Sequence, residues 1–117
     1  MIRHENKNGS VIISDSVLTD IAGVAATNCF GVKGMAARSM KDGLYHLLRK
    51  ESASKGVRIH AHDNSSISID LHIVVDAGVN LNAVASSIIS EVRYVVNQYT
   101  NTRIRAVNVF VDSVNAD

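Results

Sequence analysis

The segment from residue 66 to residue 78 constrains the fold of this chain more than any other feature. Large apolar side chains occupy every second position from 67 to 75, and most positions between them are polar. Because successive side chains of a β-strand point to opposite faces, this pattern predicts a strand with one buried and one solvated face. The solvated face carries Ser68, Asp70 and His72, which form no catalytic set. The sequence therefore indicates a packed scaffold more clearly than it indicates chemistry.

The composition is that of one soluble globular domain. The chain has 117 residues, of which 46% are hydrophobic and 20% charged, with 12 basic and 11 acidic residues. This balance of charge gives no global attraction to nucleic acid or to anionic membranes. The single cysteine, Cys29, cannot form an intrachain disulfide, and no apolar run approaches the ~18 residues of a membrane span. With no signal peptide at the N-terminus, these features predict a cytoplasmic protein.

Two segments have the periodicity of amphipathic helices. The first follows Ser14, and its apolar stripe consists of Val17, Leu18, Ile21, Ala22, Ala25 and Ala26. The second follows Asn80, and its stripe consists of Leu81, Val84, Ala85, Ile88, Val92, Val95, Val96 and Tyr99. Asn80 is a favourable N-cap, and Asn101 can end the helix in the left-handed conformation. We expect both stripes to be buried against a sheet.

Further strands are predicted at 9–14, 56–62 and 102–114. Aligning the apolar faces of the second of these and the 66–76 strand pairs Ile59 with Ile69 and sets Arg58 beside Asp70 as an exposed ion pair. In the last strand the apolar face changes near Arg105, which predicts a β-bulge or a strand covered on both faces. The element order is then β-α-(loop or short helix)-β-β-α-β. We expect an α+β fold, a two-layer αβ sandwich whose mixed sheet carries both main helices on one face.

The segment from 33 to 55 has mixed signals and a basic character, and we interpret it as an interaction loop. Exposed connecting segments carry binding residues more often than core elements do. The residues assigned to this loop are Lys33, Met35, Arg38, Lys41, Arg49, Lys50 and Lys55. Around it, the domain boundaries are predicted as a flexible N-terminus at 1–8, a single domain at 9–114 and a tail at 115–117.

Two groups of residues raise the question of catalysis or metal binding. His60 and His62 share a strand face, with His72 on the neighbouring strand, but the register separates them and no further ligand converges, so a solvated face is favoured. Cys29 lies late in an apolar helix, where a small hydrophobe is favoured over a catalytic thiol. No motif of an enzyme class occurs. We therefore predict no catalytic residue, no metal ligand and no cofactor.

Gly31-Val32-Lys33-Gly34 suggests an alternative function. This Gly-x-x-Gly form is used by one class of domain to clamp a nucleic-acid backbone, and the nearby basic residues Lys33, Arg38 and Lys41 would support that contact. The motif is short, and the strands that follow do not fit such a domain easily. A small nucleic-acid-binding domain is thus the alternative to a protein-binding module.

Five segments in order along the chain carry a family resemblance. They are 9–14 with Val17 and Ile21-Ala22, then 31–35, 55–59, 69–78 and 107–111. Together they resemble the alkaline shock protein family, the small envelope-stress-response domain of Gram-positive bacteria, over residues 9–114. The resemblance implies a non-enzymatic cytoplasmic scaffold linked to cell-envelope stress or homeostasis that acts by protein–protein contact. It also implies a membrane-anchored protein partner and self-assembly, as in some members of the family.

Overall fold

The computed structural model describes residues 1–38, 45–63 and 65–115. The strands are β1 Ile2–Asn6, β2 Gly9–Ile13, β3 Val32–Arg38, β4 Tyr45–Leu47, β5 Val57–Ala61, β6 Ser66–Asp76 and β7 Arg103–Asn115. The helices are α1 Asp15–Thr27 and α2 Leu81–Thr100, and a short 3₁₀ helix, Lys50–Gly56, lies between β4 and β5. The fold is α+β, as the sequence predicts.

The strand β6 is the centre of a mixed five-stranded sheet. β7 runs parallel to one side of β6, while β5 and β3 pair antiparallel with the first and second halves of its other side. β4 extends the sheet beyond β3, and β1 and β2 form a separate hairpin. The pairing of Ile59 with Ile69 is confirmed, because a one-residue shift would turn one apolar face to water.

The core lies between one face of this sheet and the two helices. Ile67, Ile69, Leu71, Ile73 and Val75 are all fully buried in one cluster with the inner sides of the helices. The helical members of that cluster are Leu18, Ala22, Ala25, Ala26, Val84, Ile88, Val92 and Val96. Small side chains on α1 permit close packing; a Cβ at Gly23 would lie 3.1 Å from the carbonyl carbon of Ala53 in the 3₁₀ helix.

Local signals in the sequence account for the ends of α2 and the irregularity of β7. Asn80 Oδ1 accepts a hydrogen bond from the amide of Ala83 at 2.9 Å, and Asn101 ends the helix with φ at 54°. The register of β7 with β6 skips Arg105 and Asp112, each an extra residue on β7. The predicted bulge near Arg105 is thereby confirmed.

Three strands are absent from the predicted element order. Residues 2–6 were expected to precede the domain, but they form β1, pair with β2 and bury Ile2. Residues 32–38 and 45–47 were expected in a loop, but they form β3 and β4, while 39–44 lie outside the described residues. The sequence signal was weak because β1 has one apolar residue and β3 is rich in small residues, so neither alternates clearly. At the other end, Asn115 belongs to β7 and not to a tail.

Candidate protein-interaction surface

The residues of the predicted interaction loop are not all exposed. Lys33 lies at a register shift in β3, and Arg49 and Lys55 are exposed near the two ends of the 3₁₀ helix. Met35 is only 1% exposed, because its position pairs with Ile73 on the buried face of β6. Met35 is therefore a core residue, and its assignment to a binding loop was wrong. Of the others, Arg38 is the last residue of β3, Lys50 is the first of the 3₁₀ helix, and Lys41 lies outside the described residues.

The 31–34 segment does not have the geometry of a nucleic-acid clamp. Gly31 occupies a buried turn with φ at 85°, where a Cβ would lie 2.7 Å from Val84 Cγ2. Gly34 is buried within β3, where a Cβ would lie 2.8 Å from Leu47 Cδ1. Close packing inside the protein explains both glycines. The two glycines are therefore not part of an exposed clamp loop, and the Gly-x-x-Gly pattern does not support the nucleic-acid alternative.

Asp70 is the centre of a hydrogen-bonded group on the polar face of the sheet, which is the face turned away from the helices. Its carboxylate lies 2.8 Å from His60 Nε2 and accepts a hydrogen bond from Asn108 Nδ2 at 2.9 Å. Burial acts to raise the pKa of Asp70, but the hydrogen bonds from Asn108 and His60 outweigh it and hold the pKa below its usual value. These partners replace the ion pair with Arg58 that the sequence suggested.

His72 belongs to a second group on the same face. Its Nδ1 lies 2.8 Å from Asp112 Oδ2, and its ring stacks on Phe110 with centroids 4.7 Å apart. His62 Nε2 lies 2.6 Å from Ser68 Oγ. Across residues 1–38, 45–63 and 65–115, no three His, Cys, Asp or Glu side chains are grouped to hold a metal ion. The polar face thus consists of side chains bonded to one another along the sheet.

Cys29 follows α1 and is half-buried beside the core. Its Sγ donates to the carbonyl oxygen of Ala25 at 3.4 Å. Burial raises the pKa of the Cys29 thiol, and the negative charge of Glu91 raises it further. A thiol with a raised pKa is a poor nucleophile at neutral pH, because the thiolate is the reactive form. The arrangement agrees with the interpretation of Cys29 as a small hydrophobe.

A groove of about 850 Å³ runs between α1 and α2 and opens to solvent. We call it the helix groove. The residues that line it are Asp20, Ile21, Val24, Ala25, Asn28, Glu91, Tyr94, Val95, Gln98 and Tyr99. Its apolar and aromatic walls are exposed to solvent: Val24 is 47%, Tyr94 63% and Tyr99 72% accessible. Tyr99 was predicted in the buried stripe of α2, and that assignment was wrong because the sheet does not reach this side of the helix.

The charged side chains that line the helix groove are both negative. Asp20 and Glu91 are exposed, and neither makes an ion pair with any residue that the structure describes. Residues 14–32 contain two aspartates and no lysine or arginine. Arg93 is the one cation of α2, and its Nη1 donates to the carbonyl oxygen of Ile104 at 2.6 Å, on the side of α2 next to β7. The groove therefore combines apolar walls with unneutralised carboxylates.

A comparison with family models decides the identity of the chain. The model of the alkaline shock protein family, described as having a cell envelope-related function, matches residues 3–116. This chain belongs to the alkaline shock protein family. The match covers all of β1 except its first residue, whereas the resemblance of the individual segments left β1 out. No helix in the part of the chain that the structure describes combines the length and hydropathy needed to cross a membrane.

Known relatives and solved structures support the same family and fold. YloU of Bacillus subtilis is 38% identical over 114 residues, which cover 97% of this chain and 94% of YloU. Spy1614 of Streptococcus pyogenes is 34% identical over 114 residues, which cover 97% and 93% of the two chains. A structure of the MamM CTD aligns with a TM-score of 0.52 at 18% identity, covering 85% of this chain and 94% of that chain. Its manganese form aligns with a TM-score of 0.50 at 19% identity, covering 89% and 100%. At such identity the likeness to the MamM CTD shows the fold alone.

Proposed function

We propose that this alkaline shock family protein is a non-enzymatic cytoplasmic scaffold of the cell envelope that binds a membrane-anchored protein through the helix groove. The observation that carries the proposal is the exposure of Tyr94 and Tyr99 on the walls of a concave apolar site. Tyrosine is enriched among the residues that contribute most to protein–protein binding, since it buries a large area at a low cost in conformational entropy. Concave apolar surface that is left exposed is typical of an interaction site.

The polar groups of the described residues support binding over catalysis. His60 and His72 are each held by a carboxylate on the sheet, and the raised pKa of Cys29 disfavours a thiolate. Among the described residues that line the helix groove there are carboxylates but no histidine, cysteine, serine or lysine to act with them. A second contact through the exposed Lys33, Arg49 and Lys55, and self-assembly, stay predictions.

Site-specific photo-crosslinking in the native host tests the proposed function. A photoreactive phenylalanine analogue replaces Tyr94 in the groove, and the matched control replaces Phe110, an exposed aromatic residue on the polar face of the sheet. We expect a discrete cross-linked protein from position 94 and none from position 110. The protein identified by mass spectrometry should bind the purified chain, and Tyr94→Ala should weaken that binding without lowering the melting temperature. Equal cross-linking at both positions, or none at position 94, would contradict the proposal.

A further inference from the structure

We infer that the partner segment in the helix groove is an amphipathic α-helix that carries Lys or Arg side chains about two turns apart. This inference rests on the proposed function and deepens it by stating the chemistry of the partner at that site. It follows from the positions of the two carboxylates, from the shape of the walls between them, and from the lack of an unengaged lysine or arginine on α1 and α2.

The two carboxylates lie toward opposite ends of the groove. Gly31 and Cys29 follow the C-terminal end of α1, and both lie near α2. A Cβ at Gly31 would contact Val84, and the charge of Glu91 acts on Cys29, so the end of α1 lies beside the first half of α2. Glu91 therefore lies near the Asn28 end of the groove, while Asp20 precedes Asn28 by about 12 Å along α1. Two turns of a helix span about 11 Å, which matches this separation. A partner helix lying along the groove can place one cation at each end.

Apolar side chains occupy the walls between the carboxylates. Ile21, Val24 and Val95 face the groove, and the rings of Tyr94 and Tyr99 flank it. An amphipathic helix presents apolar residues at positions i, i+3, i+4 and i+7, which fits a groove of this length. The tyrosine faces also attract Lys and Arg through cation–π interactions. Apolar anchors flanked by basic residues therefore complement both the walls and the charge of the site.

A helix is a better occupant than an extended segment. The groove lies between two helices, and side chains of a third helix can fit into the grooves between the ridges of α1 and α2. An extended segment would lay unpaired backbone N–H and C=O groups against apolar walls that offer no strand edge. An anionic lipid surface is disfavoured as well, because Asp20 and Glu91 would repel it.

The two α-helices of a second copy do not supply the required cations. α1 contains no lysine or arginine, and the single arginine of α2, Arg93, is bonded to the carbonyl of Ile104. The 3₁₀ helix of a second copy contains Lys50 and Lys55, but its seven residues include no apolar side chain larger than alanine to contact the walls of the groove. A segment of another protein is therefore the better occupant. Lysine and arginine are enriched on the cytoplasmic flanks of membrane-spanning helices, which are accessible to a cytoplasmic scaffold at the envelope.

Binding of synthetic peptides to the full chain tests the inference. The probe is an amphipathic peptide of about five helical turns, with leucines along one face and lysines two turns apart. The control peptide has glutamate in place of each lysine. By calorimetry we expect the lysine peptide to bind, with an affinity that falls as salt is added. We expect the glutamate peptide to bind at least about tenfold more weakly.

Charge-neutral variants of the protein identify the site. Asp20→Asn combined with Glu91→Gln should lower the affinity for the lysine peptide about tenfold. It should also remove most of the difference in affinity between the two peptides. Asp76→Asn combined with Glu5→Gln removes two exposed carboxylates outside the groove and should leave both affinities unchanged. Circular dichroism should show the same melting temperature for both double variants, because all four side chains are exposed.

Two results would overturn the inference while leaving the proposed function standing. These are equal affinity for the two peptides and an unchanged affinity in the groove variant. Binding of the chain to vesicles of anionic phospholipid that the groove variant alters would overturn both the inference and the proposed function, because the groove would then hold lipid and not a protein. A dimer in sedimentation that the groove variant dissociates would identify a second copy as the occupant and would likewise overturn both. Failure of the cross-linking at position 94 would instead overturn the proposed function itself.

Discussion

Ile69 provides a quantitative test of how the core is built. Its side chain is 0% exposed and lies on β6 between Ile59 of β5 and Val107 of β7. Ile69→Ala removes three carbon atoms from a site that two flanking strands and the helix layer keep from collapsing. Loss of transfer free energy and the remaining cavity should together lower the free energy of unfolding by about 3–4 kcal/mol. The entropy of unfolding of a 117-residue domain is about 0.25 kcal/mol/K, so the melting temperature should fall by about 12–16 °C.

The matched control is Ile12→Ala. Ile12 also lies on a strand but is 54% exposed, so the same chemical change should cost less than about 1 kcal/mol. Urea and thermal denaturation followed by circular dichroism give both values. Ile69→Asp should cost still more than Ile69→Ala, since it buries a carboxylate without a partner. A loss of less than about 1 kcal/mol for Ile69→Ala, or equal losses for the two alanine variants, would refute the assignment of the buried face.

Three further predictions concern the turns and the thiol. Gly31→Ala should lower the free energy of unfolding by about 3 kcal/mol, because Gly31 has a positive φ and a Cβ there would clash with Val84. Gly78 also has a positive φ but lies in open space, so Gly78→Ala should lower it by only about 1 kcal/mol. Hydrogen bonds, first from the Ser65 backbone and then from the Ser66 side chain, lower the pKa of Asp63 to about 2. The ionised carboxylate of Asp63 therefore stabilises the folded protein fully above about pH 4, and this contribution is lost as the pH falls toward 2. Asp63→Asn should remove this acid-dependent loss in pH titrations of stability. Cys29 should react with a thiol reagent at pH 7 more slowly than free cysteine, and an equal rate would contradict its raised pKa.

The central sheet and α2 could be predicted because their signals are strong and local. Alternation along β6 identifies its buried face, and matching apolar faces then leaves one register for β5. The ends of α2 depend on Asn80 and Asn101, whose side-chain chemistry favours a cap and a left-handed residue regardless of the rest of the fold. The bulge at Arg105 could also be predicted from the sequence, because it changes which residues of β7 face inward.

The strands β1 and β3 depend on contacts that no short pattern records. β1 is defined by pairing with β2 and by the burial of Ile2 alone. β3 is rich in small residues, with Gly34 packed closely against Leu47 of β4 and Ala36 paired with it, and small residues carry little periodic signal. The same limitation led to the assignment of Met35 to an exposed loop, although its pairing with Ile73 places it in the core.

The helix groove was hidden in the sequence for a different reason, which bears on how such families are interpreted. The apolar stripe of each predicted helix was taken as wholly buried, yet Val17, Leu81 and Tyr99 are all exposed. A sheet covers only part of the surface of a helix. If the apolar stripe is wider than the part that the sheet covers, the apolar side chains at the edge of the stripe stay exposed. On α2 that margin includes Tyr99, with Tyr94 beside it, and on α1 it includes Ile21, with Val24 beside it, so the two margins meet as the walls of one groove. An apolar stripe wider than the core requires, next to acidic residues without basic partners, is therefore the sequence feature that predicts an exposed apolar groove of this kind.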